Sequence, residues 1–526
     1  MFIGVDVGGT NTDAVLMDGA KLLGAAKAPT TADVTSGIVA GVSGLLAQDS
    51  RAGQADAVMV GTTHFTNALL ERRNLSRTAV IRLALPATQL LPPLVDWPSE
   101  LKEAVGGLTF MVRGGHEFDG REISPLDRGE LRITVRGLRN QGVRAVALSG
   151  VFSLVNPAHE TEAAAIVREE APDMRLCLSH ENGRMGLLER ENAATLNACL
   201  GDMAALTFGG IREALESLGI NAPLFMSQND GTLMDTGFAS RFPVLTISSG
   251  PTNSMRGAAW LSGVRDGIVV DVGGTSTDVG ALVKGFPREA TVGIQIAGVR
   301  TNFRMPDMIS IPLGGGSIVL RQAEDERLDG ARGEGLSIGP ESVGYRLMEQ
   351  ALVFGGDTLT ATDLAVAGSQ ARVGDPGLVE HLERPLIAAA MTEIRGRVET
   401  AIDRVKLSGE DTPVVLVGGG AILLGDQLSG ASEVLRPQHS DVANAIGAAI
   451  AQVGGQVERV YSLEQAGREE AIADCSAAAA ERAVAAGADP ASVEVVEIDE
   501  VPLAYVPSNA TLVRVKAVGN LASMVR

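Results

Sequence analysis

One eight-residue string occurs twice. Asp6-Val7-Gly8-Gly9-Thr10-Asn11-Thr12-Asp13 returns 265 residues later as Asp271-Val272-Gly273-Gly274-Thr275-Ser276-Thr277-Asp278, with Asn11 against Ser276 as the single change. Each copy follows a short apolar run (residues 2–7 or 268–272) and precedes another (14–17 or 279–283). Apolar run, Gly-Gly, apolar run reads as strand, tight turn, strand. Two copies so far apart predict a duplicated architecture with two similar halves facing each other.

The composition of the string suits a bound phosphate. Gly8, Gly9, Gly273 and Gly274 carry no Cβ, so the backbone can approach an anion and adopt positive φ. Their N–H groups, with those of Thr10, Asn11, Thr275 and Ser276, would form an anion-binding nest. Thr10, Thr12 and Thr277 add hydroxyl donors. Asp6 and Asp271, at strand ends, are expected to hold Mg²⁺ through its waters, since Mg²⁺ keeps several. Asp13 and Asp278 would orient an attacking oxygen or complete the metal shell, which makes all four carboxylates candidate catalytic residues.

The rest of the chain alternates strand and helix patterns. Val58-Met59-Val60 leads into a polar turn and an amphipathic helix, in which Thr62, Thr63 or Thr66 would cap the helix and leave His64 and Asn67 near the cleft. Residues 143–151 read as a buried strand, 160–170 as a helix, and 187–200 as a helix with Asn192 and Asn197 on an otherwise apolar path. Pro413-Val414-Val415-Leu416-Val417 runs into Gly418-Gly419-Gly420, where a nucleotide base or ribose could lie against bare backbone. Residues 313–318 form a second glycine turn, and 441–451 a small-residue helix suited to tight packing beneath a nucleotide. Beyond about residue 456 an Ala-rich helix and two strands read as a small α+β appendix, structural or subunit-contacting.

Composition closes off several classes. The chain of 526 residues is 45% hydrophobic, which excludes dominant disorder, and its 63 glycines have no triplet period, which excludes a collagen-like fibre. Few aromatics (3%) beside abundant small apolar residues suit parallel sheets covered by small-residue helices. A net charge of −20 repels phosphate backbones, so no nucleic-acid partner is expected. The 3 cysteines are far apart with no CxxC pair, which argues against a disulfide framework or zinc site. No signal peptide and no membrane span are read, so the expected location is cytoplasmic. No GxxxxGK[ST], GxGxxG or HExxH occurs, and Leu148-Ser149-Gly150-Val151 is no GxSxG nucleophile elbow.

The two hairpins and the glycine-triplet strand resemble the phosphate-1, phosphate-2 and adenosine motifs of the actin/sugar kinase/Hsp70 ATPase fold. Residues 61–72 (GTTHFTNALLER), 187–200 (LLERENAATLNACL), 249–259 (SGPTNSMRGAA), 312–318 (PLGGGSI), 339–342 (GPES) and 441–449 narrow this to a resemblance to the hydantoinase A/5-oxoprolinase family, in order over roughly residues 1–455. One departure lies at Asn253-Ser254-Met255-Arg256, where long members of that family carry a glycine-rich SGPAGG-type loop.

The resemblance implies duplicated actin-like (ribonuclease H-like) α/β domains flanking a nucleotide cleft, in segments 1–185 and 186–455, with a small C-terminal α+β domain at 456–526. It further implies ATP and Mg²⁺ as cofactors and phosphorylation of a carbonyl oxygen. A cyclic amide of hydantoin, 5-oxoproline or lactam type would then be opened by water, often with a separate B-type subunit. Gly8–Thr12, Gly273–Thr277 and Gly418–Gly420 would bind the nucleotide, and His64, Asn67 and Arg256 the substrate. A small-molecule kinase and an ATP-driven chaperone or enzyme-reactivating factor are the alternatives, and self-association into a homo-oligomer is compatible with either.

Overall fold

The computed structural model describes residues 1–522 apart from 31–33, 183, 291–292, 304, 323–334, 465 and 504–508. Both copies of the repeated string fold into antiparallel hairpins with one register. Phe2–Val7 pairs with Asn11–Asp18 so that Asp6 stands opposite Asp13, and Gly267–Val272 pairs with Thr277–Val283 so that Asp271 stands opposite Asp278. The turns close identically: Gly8 N–H donates to Asn11 O (3.0 Å) and Gly273 N–H to Ser276 O (2.9 Å).

The duplication extends past the hairpins. In each half the strand before the turn lies parallel to a third strand, Ala57–Thr62 or Thr412–Val417. That strand lies parallel to a fourth, Leu224–Ser227 or Ala431–Leu435. Lys21–Pro29 flanks the first hairpin, and Phe286–Pro287 and Met308–Ile311 flank the second, so both sheets repeat one strand order. Their central strands are covered on both faces. Consecutive residues such as Val414, Val415 and Leu416 are all fully buried, which is why they read as unbroken apolar runs.

A third sheet, all parallel, is inserted between strands 57–62 and 224–227. It consists of Leu108–Arg113, Thr78–Leu85, Ala145–Gly150 and Arg175–Leu178, side by side in that order. The helix expected at 187–200 continues to Ser217 and is buried along its first half. The two asparagines on its apolar path are buried and satisfied: Asn192 accepts from Trp97 Nε1 at 2.7 Å, and Asn197 Nδ2 donates to Arg241 O at 2.8 Å.

Segment 456–526 has the α+β makeup expected of it, with the helix Arg468–Ala485 packed on antiparallel strands. It does not form a sheet of its own. Val453–Ser462, Ala510–Gly519 and Glu494–Pro502 are added to the edge of Leu233–Asp235, giving the first sheet nine strands. The segments 1–185, 186–455 and 456–526 therefore do not correspond to separate sheets, since the first sheet draws on all three. The physical reason is that an exposed sheet edge is a pairing template, and strand patterns in sequence do not say which edge they will cover. Among the described residues no helix is long and apolar enough to cross a membrane.

Candidate functional site: the crevice between the hairpins

The two hairpin tips touch. A Cβ on Gly274 would collide with Thr10 Oγ1, so only glycine allows this approach of one half to the other. Behind the tips the carboxylates of Asp6, Asp13, Asp271 and Asp278 form one electrostatic group. The Asp271 charge raises the other three. Asp6, at 2% exposure, is pushed up to about 7 by burial first and then by the charges of Asp13 and Asp271. Asp278 is also raised to about 7, by burial and then by Asp271. Burial raises Asp271 against the opposing effects of the Ser254 hydroxyl and the Lys27 charge. Like charges directly opposite across a strand pair are destabilising, and here both hairpins carry such a pair.

Several residues without a sequence signature complete this group. Lys27 Nζ lies 2.5 Å from Asp13 Oδ1 and donates to Asp441 O at 3.1 Å. Asn444 Nδ2 donates to Asp6 Oδ2 at 2.8 Å, whereas Asp6 Oδ1 is buried without a partner. Asn444 sits on the small-residue helix Ala443–Ala449, which packs on the first strand so closely that a Cβ on Gly4 would collide with Ala445 O. The helix Ser249–Ser262 brings Asn253 and Ser254 to the same place, and Asn253 Nδ2 donates to Ser227 Oγ at 3.1 Å. These are the positions at which the chain departs from a glycine-rich loop.

Each half also places a glycine beside its first aspartate. A Cβ on Gly61 would lie 2.5 Å from Asp6 Oδ1 and from Asn253 Nδ2, and one on Gly418 would collide with Asp271 Oδ1. The two glycines are not equivalent by register, since Gly61 stands opposite Asp6 whereas Val417, one residue before Gly418, stands opposite Asp271. Gly418 has φ +84, Gly419 is exposed, and Gly420 is buried against Gly273 O, so Gly419 is the residue of the triplet open to a ligand. The glycine turn 313–318 braces the second hairpin: Gly315 and Gly316 N–H donate to Gly273 O (3.0 Å) and Gly274 O (2.7 Å).

Other expectations need correction. None of Gly8, Gly9, Gly273 and Gly274 has positive φ, and the N–H groups of Gly8 and Gly273 close their own turns. The loop therefore lacks the alternating conformation of a nest, and its glycines serve close approach. Thr12 and Thr277 are fully buried. Thr12 Oγ1 faces Thr30 Oγ1 at 3.3 Å and Thr277 Oγ1 donates to Leu313 O at 2.6 Å, because alternate residues of a strand point to opposite faces. The residues left at the tips are Gly9, Thr10, Asn11, Gly274, Thr275 and Ser276, of which Gly9 and Thr275 are exposed.

His64 and Asn67 lie on the helix His64–Glu71, tied to the first hairpin by Thr63 Oγ1 donating to Val7 O at 3.3 Å. Thr62 Oγ1 accepts from the His64 N–H at 3.1 Å, and Asn67 is exposed in the body of the helix, so it is no cap. Arg256 is not brought to the carboxylates. It lies on another face of its helix, 5.1 Å over the Phe286 ring and beside Asp230 and Gly231.

The hydantoinase/oxoprolinase N-terminal region matches residues 2–171 and the hydantoinase/oxoprolinase model matches residues 190–370. The chain belongs to the hydantoinase/oxoprolinase family. Among relatives of the hydantoinase/oxoprolinase chain, the acetophenone carboxylase gamma subunit of Aromatoleum aromaticum is 29% identical over 69% of this chain and 52% of its own length. The caprolactamase subunit alpha of Pseudomonas jessenii is 28% identical over 69% of this chain and 54% of its own length. The chain thus spans about half the length of these relatives. The solved ATP-dependent caprolactamase of Pseudomonas jessenii superposes with a TM-score of 0.77 at 21% identity, over 99% of this chain and 88% of that one. Nucleotide-free acetone carboxylase gives 0.72 at 17% identity, again over 99% and 88%. The fold is the duplicated α/β architecture that these two solved structures share.

The crevice of this hydantoinase/oxoprolinase chain suits a cation that keeps its water. Among the described residues no three His, Cys, Asp or Glu side chains cluster closely enough to hold a metal ion directly. A partnerless buried oxygen on Asp6 and two carboxyls raised to about 7 are nevertheless what a hydrated dication would relieve.

Proposed function

We propose that this chain is the ATP-using subunit of an enzyme that opens a cyclic amide of hydantoin, 5-oxoproline or lactam type. The observation that carries the reading is the meeting of the two sibling hairpins, Thr10 against Gly274, with Asp6 and Asp271 in one electrostatic group. The phosphates of ATP would lie against the touching tips, on Gly9, Thr10, Asn11, Gly274, Thr275 and Ser276, with the nucleoside against Gly419. Asp6 and Asp271 hold Mg²⁺ through water. When bound, that ion neutralises charge on the phosphates.

A ring amide is a poor electrophile, whereas its O-phosphorylated imidate has a good leaving group. The protein's own contribution to phosphoryl transfer is positioning and charge stabilisation. Asp278, raised to about 7, can donate to the incoming carbonyl oxygen when protonated, and Lys27 offsets the charge of Asp13. The His64–Asn67 helix, tethered to the first hairpin, offers polar side chains for substrate. Water then adds to the imidate carbon, the ring C–N bond breaks with the nitrogen leaving as an amine, and the acyl phosphate so formed is hydrolysed to a carboxylate and inorganic phosphate, in cooperation with a B-type companion subunit. The caprolactamase among the relatives supports the amide chemistry by name, and the subunit names of the two curated relatives support a companion.

The test is ADP release by the purified chain against hydantoin, caprolactam and 5-oxoproline, with and without the neighbouring gene product. Ring-dependent ADP release with ring-opened product supports the proposal. ATP hydrolysis indifferent to every ring, or release of a stable phosphorylated product, overturns it.

A further inference from the structure

A cavity of about 120 Å³ lies away from the hairpins, at the carboxyl ends of two strands of the inserted parallel sheet. Leu154 comes from the loop after Ala145–Gly150, and Asn182 and Arg184 follow Arg175–Leu178. The strand Val453–Ser462 and the helix Arg468–Ala485 of the appended segment supply Glu458 and Arg482. Open α/β sheets take their ligands at that end of the strands. The volume is well above the ~10–15 Å³ that holds one water. A neighbouring hollow of about 570 Å³ shares Leu154, His180, Glu458 and Arg482 with the cavity and gives a ligand a way in.

The charges around the cavity do not cancel. Each of its three carboxylates already has a cation: Glu181 pairs with Arg241, Asp230 with Lys516 (2.9 Å) and Glu458 with Arg514 (2.7 Å). Two lining guanidiniums are left over. Arg184 lies 3.6 Å from the Glu458 oxygen that Arg514 already holds. Arg482, whose Nη1 donates to Gln456 O at 2.8 Å, is in no ion pair among the described residues. Guanidiniums in surplus suit a carboxylate, which they bind as a fork.

Three lining residues also carry buried polar atoms with no partner: Asn182 Oδ1, Asn229 Nδ2 and Asn302 Oδ1. Two of these amides are fixed by their other end, since Asn302 Nδ2 donates to Met185 O at 3.2 Å and Asn182 Nδ2 to Cys177 Sγ at 3.6 Å. The wall thus sets two acceptors that need N–H donors beside guanidiniums that need an anion. A simple carboxylate or inorganic phosphate meets only the second demand. A molecule with both an amino group and a carboxylate meets both, and Phe238, Phe242 and Phe303 give its carbon chain an apolar bed.

We infer that this cavity binds a free amino acid: the carboxylate on Arg184, Arg482 and the Asn229 N–H, the ammonium on the carbonyls of Asn182 and Asn302, the chain on the phenylalanines. Water opening a ring amide leaves one amine and one carboxylate on the same molecule, so the ligand has the chemistry of the ring-opened product. That assignment as product rests on the proposed reaction; the site itself does not.

The test is calorimetric titration of the full chain, without nucleotide, at pH 7.5. The probes are 6-aminohexanoate and glutamate, the ring-opened forms of caprolactam and 5-oxoproline, with hexanoate and inorganic phosphate as anions lacking the amine. At least one of the amino acids binds, and hexanoate and phosphate bind at least tenfold more weakly. Arg482→Gln, at an exposed position, keeps the thermal melt and weakens amino-acid binding at least tenfold. Asn302→Ala does the same provided that its melt stays cooperative. No binding of either amino acid, equally tight binding of hexanoate or phosphate, or unchanged affinity in Arg482→Gln overturns the inference. Measuring ADP release in parallel separates the two proposals. Amino-acid binding that depends on Arg482, in a chain whose ADP release ignores every ring, keeps the site and removes the hydrolase reading. Ring-dependent ADP release from a chain that binds neither amino acid does the reverse.

Discussion

The two hairpins share seven of eight residues, one register and one turn-closing hydrogen bond, yet their surroundings differ. The first is open at its tip: a Cβ on Gly9 would meet nothing within 4 Å. It carries the group's cation, Lys27 on Asp13, and Asp6 is clasped by Asn444. The second is packed at its tip, with Gly274 under Thr10 and the carbonyls of Gly273 and Gly274 capped by the turn 314–316. Duplication has kept the backbone and divided the labour. One copy is electrostatically equipped and free to receive a ligand, and the other is a rigid anvil.

Removing the carboxylate of the braced copy has the largest expected effect. Asp271→Ala lowers ATP turnover by on the order of 10²–10³ while circular dichroism shows a folded chain, because a half-buried strand-end carboxylate contributes little to the core. Retained turnover would remove Asp271 from the cation site.

The matched glycines come next. Gly274→Ala pushes a methyl into Thr10 and separates the tips, and a displacement near 1 Å costs about 10²-fold in rate. Gly9→Ala meets no protein atom at ordinary φ, so it keeps the contact between the tips and lowers turnover less than Gly274→Ala, through the phosphate alone. Equal losses at both positions would erase the distinction between open and packed tips.

A pH series tests the buried aspartate. Asp6 is raised to about 7 in the fold and titrates near 4 when unfolded, so the native state holds the extra proton between those values. Stability without ligand therefore falls as pH rises from about 4 to 7. Asp6→Asn flattens that fall. It also raises stability at pH 8 by up to a few kcal/mol, since each tenfold difference in proton affinity between the folded and unfolded carboxyl is worth about 1.4 kcal/mol. A melting temperature at pH 8 lower in Asp6→Asn than in the unmodified chain would contradict it. The smallest effect is that of Lys27→Met, which leaves Asp13 without its cation and destabilises by about 1 kcal/mol at pH 8, vanishing in acid where the carboxyl is protonated. Chemical denaturation at the two pH values measures it.

The hairpins, the third strand of each half and the glycine triplet are legible in the sequence because each is a local pattern: an apolar run ended by glycine. Asn253, Ser254 and Asn444 are not. Each is a single polar residue on a small-residue helix, and its meaning comes from packing against a strand far away in sequence. Lys27 gives no signal either, being one lysine in an edge strand. Arg256 misleads for the opposite reason, since its charge draws attention while its helical phase turns it toward Asp230. Thr12 and Thr277 mislead through their place in a repeated motif, although strand alternation already separates them from the tip residues.

The nine-stranded sheet draws its members from residues 2–29, 57–62, 224–235 and 453–519, and the whole second half is threaded between the last two groups. During synthesis the strands 267–435 leave the ribosome while the earlier sheet still shows the edge at 233–235 to solvent. The second half can therefore mature first, and the lobe that begins the chain is the one that finishes late. A nascent chain stalled before residue 453 would hold a finished anvil beside an unfinished partner, and would be the form most in need of a chaperone.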